Sequence, residues 1–271
     1  ITNGTVTSTS GNLTVTGNCS NSGTFTHNSG TMIFNAIDTG NTLAGTMSST
    51  SSFYSLTFNG SGGAWSFTSN PAVEVANNLT ITAGTLTSTS HASGLTITGN
   101  YSNSGTFTHN NGTVIMNATD AGNTLAGTLS STSKFYNLTF NGVAGAWSFT
   151  SNPSVEIANN LTITNGTVTS TSGALTVTNN YSNSGTFTHN SGTVVMNATD
   201  AGNTLAGTMS STSSFYNLTF NGSGGAWSFT SNPAVTVANT LSISNGTVTA
   251  TSGNTTIGGN FTKTGGTFTH N

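Results

Sequence analysis

The chain of 271 residues is long enough for one or two globular domains, yet charged residues make up only 3% of it and the formal net charge is −3. The only lysines are Lys134 and Lys263, and there is no arginine, so no basic cluster is available to bind phosphate groups. No apolar run reaches the roughly 18 residues of a membrane span. We therefore expect neither a nucleic-acid partner nor membrane insertion.

The chain repeats itself with a period of about 80 residues. The stretch LTITGNYSNSGTFTHNNGTVIMN at Leu95–Asn117 has close copies at Leu13–Asn35 and Leu175–Asn197, and a shortened copy at Thr256–Asn271. Aligned on their ITNGT-like segments, the predicted repeats are Ile1–Thr80, Ile81–Thr162, Ile163–Ser242 and a partial repeat, Ile243–Asn271. β-branched and aromatic residues recur at fixed places, which favours an ordered array over residues 1–271 and not a disordered tract.

Short alternating segments follow one another through each repeat. In the second repeat LTIT begins at Leu79 and again at Leu95, TVIM begins at Thr113, and NLTF begins at Asn137. Leu and Ile alternate with Thr, which is the period of a half-buried strand, and nothing has a helical period. The spacing predicts an all-β fold with about four coils in each repeat of about 80 residues.

Two architectures fit many short strands. A sandwich or barrel of antiparallel hairpins is one; the other is a parallel β-helix, or β-solenoid, in which each strand pairs with its counterpart one coil later. Repetition at coil length favours the β-solenoid. It would form a rod that advances roughly 19 Å per repeat.

The same alternation predicts which side chains form the core. We expect an inward column of Leu79, Leu95, Val114, Leu138 and Leu161, with a second column beside it. Aromatic residues of the GTFTHN and AWSF segments are added to these columns. The complete predicted core ladder is Leu79, Ile81, Leu95, Ile97, Phe107, Val114, Met116, Leu138, Phe140, Trp147, Phe149, Leu161 and Ile163.

A second set of apolar side chains is predicted to point outward. If Val114 and Met116 face the core, Ile115 faces the surface. The tyrosines of the FY pairs are expected to face inward, so the phenylalanines directly before them would face outward as well. The predicted lateral contact residues are Ile33, Ile115, Val195, Phe53, Phe135 and Phe215. They would form a stripe against which a folded-back loop or a neighbouring rod packs.

Candidate catalytic and metal-binding residues are few. His27, His109, His189 and His270 recur among Thr and Asn, but copies one repeat apart are too distant to share a metal, which favours turn or strand-end roles. Asp38, Asp120 and Asp200 precede glycine in turn-like loops that lack a calcium-binding nonapeptide. No serine has a histidine and an acid placed as a triad. We expect no catalytic residue, metal or cofactor.

Two further patterns carry alternatives. Pairs such as Thr80 and Thr82 resemble the outward threonine arrays of ice-binding β-solenoids, although exposed strands favour threonine in any case. Sequons are abundant, and glycosylation is a hypothesis that an intact-mass measurement would test. The sequons include Asn78, Asn100, Asn117, Asn137, Asn160, Asn180, Asn197 and Asn217.

The motifs NLTIT-x-GTLTST, NYSNSGTFTHNSGTVVMN and FYNLTFNGSGGAWSFTSN resemble the Thr/Asn/Gly-rich repeats of long secreted bacterial surface proteins, similar to filamentous-haemagglutinin-type adhesins. The resemblance covers the whole chain and implies an extracellular or cell-surface fibre on a parallel β-helix. The expected partner is a further copy of the chain, end to end or side by side, with a surface or glycan as a further ligand. The alternative is a ligand-binding β-solenoid that binds ice or glycan.

Overall fold

The computed structural model describes residues 1–271 as an all-β protein. Its parallel sheets stack as a β-solenoid of about 12 turns with about 22 residues per turn, which confirms the predicted fold class. No helix has the length and apolar character needed to cross a membrane. The chain divides into two compact units, Ile1–Ala118 with Asn123–Tyr136, and Thr119–Gly122 with Asn137–Asn271.

The first unit contains short strands and two 3-10 turns, Ser49–Ser51 and Ser131–Ser133. Its strands are β1 (Thr5–Thr7), β2 (Asn12–Val15), β3 (Cys19–Asn21), β4 (Thr24–Thr26), β5 (Thr31–Phe34), β6 (Asn41–Gly45), β7 (Ser55–Phe58), β8 (Ala64–Phe67), β9 (Val73–Val75), β10 (Leu79–Ile81), β11 (Thr85–Thr87), β12 (Leu95–Ile97), β13 (Tyr101–Asn103), β14 (Thr106–Thr108), β15 (Thr113–Met116) and β16 (Asn123–Gly127).

The second unit has the same kind of strands and one 3-10 turn, Ser211–Ser213. Its strands are β17 (Asn137–Phe140), β18 (Ala146–Phe149), β19 (Val155–Ile157), β20 (Leu161–Ile163), β21 (Thr167–Thr169), β22 (Ala174–Val177), β23 (Tyr181–Asn183), β24 (Thr186–Thr188), β25 (Thr193–Met196), β26 (Asn203–Gly207), β27 (Asn217–Phe220), β28 (Ala226–Phe229), β29 (Val235–Val237), β30 (Leu241–Ile243), β31 (Thr247–Thr249), β32 (Thr255–Ile257), β33 (Phe261–Lys263) and β34 (Thr267–Thr269).

Three segments make one turn, so the first unit has three faces. Face 1 contains β1, β4, the segment 47–53, β9, β12 and β15, with Met47 and Phe53 bridged to Val73 and Val75. Face 2 contains β2, β5, β7, β10, β13 and β16, and face 3 contains β3, β6, β8, β11 and β14. Every pairing is parallel and in register, as in Leu79 opposite Leu56 and Tyr101.

The sequence repeat is not a whole number of turns. One repeat supplies ten strands, β1 to β10, and the bridged segment 47–53, which makes eleven segments. At three segments per turn this is about three and two-thirds turns, or an advance of about 18 Å at a strand spacing of about 4.8 Å. Equivalent strands of successive repeats therefore lie on different faces: β2 is on face 2, and its counterpart β12 is on face 1.

The second unit shows the same displacement when it is considered alone. Strand β22 lies in the sheet of β19, β25, β27, β30 and β33. Its counterpart one repeat later, β32, pairs with β29 in a different sheet. A feature that occurs once per repeat is consequently presented in a new direction each time.

All thirteen residues of the predicted core ladder are buried, with relative exposures of 0 to 6%. Leu95 and Val114 of the predicted column pair with each other, and so do Leu138 and Leu161, but Leu79 does not belong to that column. Leu79 lies on face 2, opposite Leu56 and Tyr101, whereas Leu95 lies on face 1, opposite Val73 and Val114. The two LTIT segments are 16 positions apart, less than one turn, so they occupy neighbouring faces instead of stacking.

Glycine allows the closest approach between successive turns. Gly127 ends β16 with φ +88, and a Cβ atom on it would lie 2.0 Å from the Asn103 carbonyl oxygen of the turn before. Positive φ and the missing side chain are both required there. The chain can therefore turn a corner without separating the stacked coils.

Candidate functional site

The outward surface is the candidate functional site, because the interior is filled by apolar side chains. Its most regular feature in the first unit is a grid on face 3, where Thr85 and Thr87 of β11 pair with Thr106 and Thr108 of β14. In the turn before β11, β8 continues the grid with Ala64 and Ser66. In the second unit, β21 with β24 and β31 with β34 form equivalent grids of Thr167, Thr169, Thr186 and Thr188, and of Thr247, Thr249, Thr267 and Thr269.

The threonine rows are not continuous along a face. On face 2 the row that contains Thr57 and Thr80 continues to Ile33 on one side and to Ser102 on the other. On face 1, Thr96 lies between Glu74 and Ile115. In the second unit β21 and β24 stand in one sheet and β31 and β34 in another, so their two grids do not line up into one long flat face.

Asparagine side chains form hydrogen-bonded ladders between successive turns. In the first unit Asn78 Oδ1 accepts from the Asn100 backbone N–H (2.9 Å) and Nδ2 (3.0 Å), and Asn100 Oδ1 accepts from the Thr124 N–H (2.7 Å). In the second unit Asn160 and Asn180 repeat the arrangement. A second ladder there joins Asn137, Asn159 and Asn179, with bonds of 2.9 and 2.7 Å.

Sequence reasoning treated several of these asparagines only as sequons. The signal that identifies the ladders is their recurrence about one turn apart: the bonded pairs are separated by 20 to 24 positions. The sequence alignment at one repeat length conceals that spacing. Stacked amides satisfy each other's polar groups along a parallel sheet. The ladders therefore lock the register of successive turns.

The predicted lateral stripe is wrong for the phenylalanines. Phe53, Phe135 and Phe215 are buried, with exposures of 3%, 0% and 0%, whereas Tyr54, Tyr136 and Tyr216 are half-buried at the surface. Ser49, Ser131 and Ser211 have positive φ at the start of the 3-10 turns, just before each FY pair. The chain bends at each of the three tyrosines before the next strand begins, so the strand alternation on which the prediction depended does not extend back to the phenylalanines.

The other predicted lateral residues do lie on the outward side of their strands. Ile33, Ile115 and Val195 are half-buried, between inward neighbours that are buried. Each stands in a row of polar residues, as Ile33 does between Thr14 and Thr57. Scattered single apolar side chains of this kind are normal on a protein surface.

Three of the recurrent histidines pack against the surface tyrosines. The His109 ring lies 5.3 Å from that of Tyr136 with an interplanar angle of 30°, and the pairs His27–Tyr54 and His189–Tyr216 have centroid distances of 5.4 Å. His109 Nδ1 accepts a hydrogen bond from the Asn111 N–H (3.0 Å). A histidine that accepts at Nδ1 is neutral and carries its proton on Nε2.

We expect stability to fall in mild acid at this pair. Partial burial, and secondarily the Lys134 ammonium group, lower the pKa of His109 below its ordinary value of 6.5. The unfolded chain then binds a proton before the folded chain does, so the contribution of His109 is complete above pH 6.5 and is lost as the pH falls. NMR titration of the His109 ring and urea midpoints measured against pH will check this.

Lys134→Ser is the matched control, because serine occupies the equivalent positions Ser52 and Ser214. It should move the pKa of His109 towards its ordinary value and reduce the acid sensitivity. A His109 ring that titrates at or above the ordinary value in the parent chain would contradict the prediction.

A few polar groups lie inside the solenoid. Asn103 belongs to strand β13 and is buried; its Nδ2 donates to the Thr128 carbonyl (2.9 Å). Beside it Tyr101 is fully buried against Phe107 and Phe135, and no protein group pairs with its hydroxyl. Burial raises the pKa of Tyr101 well above that of an exposed tyrosine.

Tyr101→Phe is expected to stabilise the chain by about 1 kcal/mol. The buried hydroxyl gives up its hydrogen bonds to water on folding and gains none from the protein. The sequence already places Phe261 and Cys19 at equivalent positions. Urea unfolding will measure the change, with Tyr136→Phe as a half-buried control expected to be neutral. A loss of stability in Tyr101→Phe alone would show that the hydroxyl has a structural role.

Glu74 and Asp38 each accept hydrogen bonds at turns. Glu74 accepts the Ser49 N–H at Oε2 (2.6 Å), and the Asn41 amide donates to both the carbonyl (2.7 Å) and the carboxylate (3.3 Å) of Asp38. No group of three or more His, Cys, Asp or Glu side chains lies close enough together to hold a metal ion. The interactions of these two acids stabilise turns.

No protein-family model, curated protein sequence or solved structure matches the chain.

Proposed function

We propose that this chain is a non-enzymatic structural protein, a segment of an extracellular filament or fibrous adhesin built from stacked repeats. It would serve in attachment, in a matrix or in coverage of a cell surface. The observation that carries the proposal is that, within each unit, successive turns pair in parallel and in register over a continuously buried core.

The mechanism is mechanical. Each turn contacts only its neighbours, so repeats can be added without redesigning the core. Within a unit, backbone hydrogen bonds run between turns, and the asparagine ladders add side-chain bonds in the same direction. Such an array resists extension because separating any two turns breaks a whole set of bonds at once.

Self-association is part of the proposal. With 3% charged residues, two copies meet with little repulsion, and outward Asn, Ser and Thr side chains can bond across a contact. Copies would then associate side by side, in addition to stacking end to end. A surface or glycan is the proposed further ligand, and the localisation is extracellular.

Immunogold electron microscopy of intact source cells tests this function. An antibody raised against the purified chain should decorate filaments outside the cell, and the filaments should diffract with the strand spacing of about 4.8 Å along their axis. Label confined to the interior of permeabilised cells, or discrete soluble particles in the medium, would overturn the proposal.

The alternative is a ligand-binding solenoid. The two-strand threonine grids favour it for ice, and a shallow polar depression lined by Glu74, Thr96, Thr98 and Asn117 favours it for glycans. Against it, Trp65, Trp147 and Trp227 are buried and cannot form an aromatic platform. Ice-affinity partitioning tests ice binding, with Thr85→Lys as the variant, and a glycan array tests glycan binding, with Glu74→Thr as the variant. Strong binding that the variant abolishes would replace the structural proposal. Glu74→Thr copies the residue at Thr236.

A further inference from the structure

Three equivalent loops carry an Asn-Gly pair directly after a strand. They are Asn59–Gly60 after β7, Asn141–Gly142 after β17 and Asn221–Gly222 after β27. All three asparagines are exposed. The loops share the same local bond, in which Gly63, Gly145 and Gly225 donate to the carbonyls of Gly60, Gly142 and Gly222 at 3.0 to 3.1 Å.

The loops differ in what holds the asparagine amide. Asn165 Nδ2 donates to Asn141 Oδ1 (3.1 Å), and Asn245 Nδ2 donates to Asn221 Oδ1 (3.1 Å). In the turn after Asn59, the position equivalent to Asn165 and Asn245 is occupied by Ala83, whose side chain has no hydrogen-bond donor. Asn59 is therefore the member of the set whose side chain is free to rotate.

We propose that Asn59 is a site of spontaneous deamidation. The backbone nitrogen of Gly60 attacks Asn59 Cγ, the C–N bond of the side-chain amide breaks, and ammonia leaves with the displaced proton. Water then opens the cyclic imide to aspartate or isoaspartate. The net change is addition of water and loss of ammonia, with no oxidant or other reactant. Glycine favours the attack because it carries no side chain to obstruct the ring.

The loop geometry explains why the other two sites are slower. Ring closure requires the side chain to rotate until Cγ faces the following nitrogen, and a bond to Oδ1 opposes that rotation. A net hydrogen bond of about 1 kcal/mol corresponds to about a fivefold difference in rate. The product adds one negative charge to a chain of net charge −3, next to the bond from the Asn59 N–H to the Phe34 carbonyl (2.9 Å).

Incubation at mildly alkaline pH followed by peptide-mapping mass spectrometry tests the proposal. In the full chain, Asn59 should deamidate about fivefold faster than Asn141 and Asn221. Asn111 is an internal reference, because the Gly112 N–H that would attack it is bonded to the His109 carbonyl (2.9 Å). Equal rates at all three loop sites, or no reaction at Asn59, would overturn the proposal.

Two reciprocal variants separate the missing ladder bond from other differences. Ala83→Asn supplies the donor found at Asn165 and should slow Asn59 about fivefold; Asn165→Ala removes it and should speed Asn141 by the same factor. Each variant copies a residue that the chain already holds at the equivalent position, and circular dichroism will verify folding. Unchanged deamidation rates in a folded variant would contradict the proposal. This test does not depend on the proposed function.

Discussion

Trp147→Ala is expected to lower the local stability of the second unit by about 3–5 kcal/mol, the usual cost of emptying an aromatic core site. Trp147 is 2% exposed, lies 5.2 Å from the Phe140 ring and stacks in register on Val168 of the next turn. Because each turn contacts only its neighbours, the damage should be concentrated in β17 to β21. Hydrogen exchange of the amides in these strands will measure it.

Val143→Ser is the control for that measurement. Val143 is 69% exposed, and Ser61 and Ser223 occupy its equivalent positions. The change should stay within about 0.5 kcal/mol. A cost below about 1 kcal/mol for Trp147→Ala, or equal costs for the two variants, would show that the tryptophan is not part of a packed core.

Gly60→Ala should destabilise the first unit by about 3 kcal/mol or more, because the added methyl group has no space. A Cβ atom there would lie 1.6 Å from the Ala36 carbonyl oxygen and 2.9 Å from the Trp65 ring. The obstacle is backbone of the previous turn, so a side-chain rotation cannot relieve the clash. Urea unfolding and exchange of the β7 and β8 amides will report the loss.

Gly17→Ala provides the matched control. A Cβ atom at Gly17 would meet nothing within 4 Å, and Asn179 stands at the equivalent position. Its effect should be within about 0.5 kcal/mol. If Gly60→Ala proved equally mild, successive turns would have to be able to separate at this corner, contrary to the described packing.

Strand alternation and repetition at coil length together predicted a parallel β-solenoid, and the alternation predicted its inward side chains. Leu95, Ile97, Val114 and Met116 are buried because residues of period two must share one side of a strand. The stretch Leu95–Asn117 also contains the buried Asn103, which the alternation of apolar and polar residues does not predict. Asparagine is seldom buried, and here the Thr128 carbonyl of the next turn accepts from its Nδ2, while no protein group pairs with its Oδ1.

The FY pairs show the same limit in a different form. Alternation extended back from Leu56 predicts an inward Tyr54, but the chain bends at Tyr54, between Phe53 on face 1 and β7 on face 2. The phenylalanine then enters the core and the tyrosine meets His27, which is about one turn distant in sequence. Sequence periodicity cannot predict such a contact, because it relates only residues that are neighbours along one strand.

The sequence by itself determined the fold class, the inward or outward side of most strand residues and the repeat of about 80 residues, since all three depend on local period. Tertiary structure alone decided which strands meet. Turn length is fixed by how many residues close one circuit of three faces, about 22 here, and this does not divide the repeat evenly. The result is the displacement of each repeat by a third of a turn, the interrupted threonine rows and the asparagine ladders.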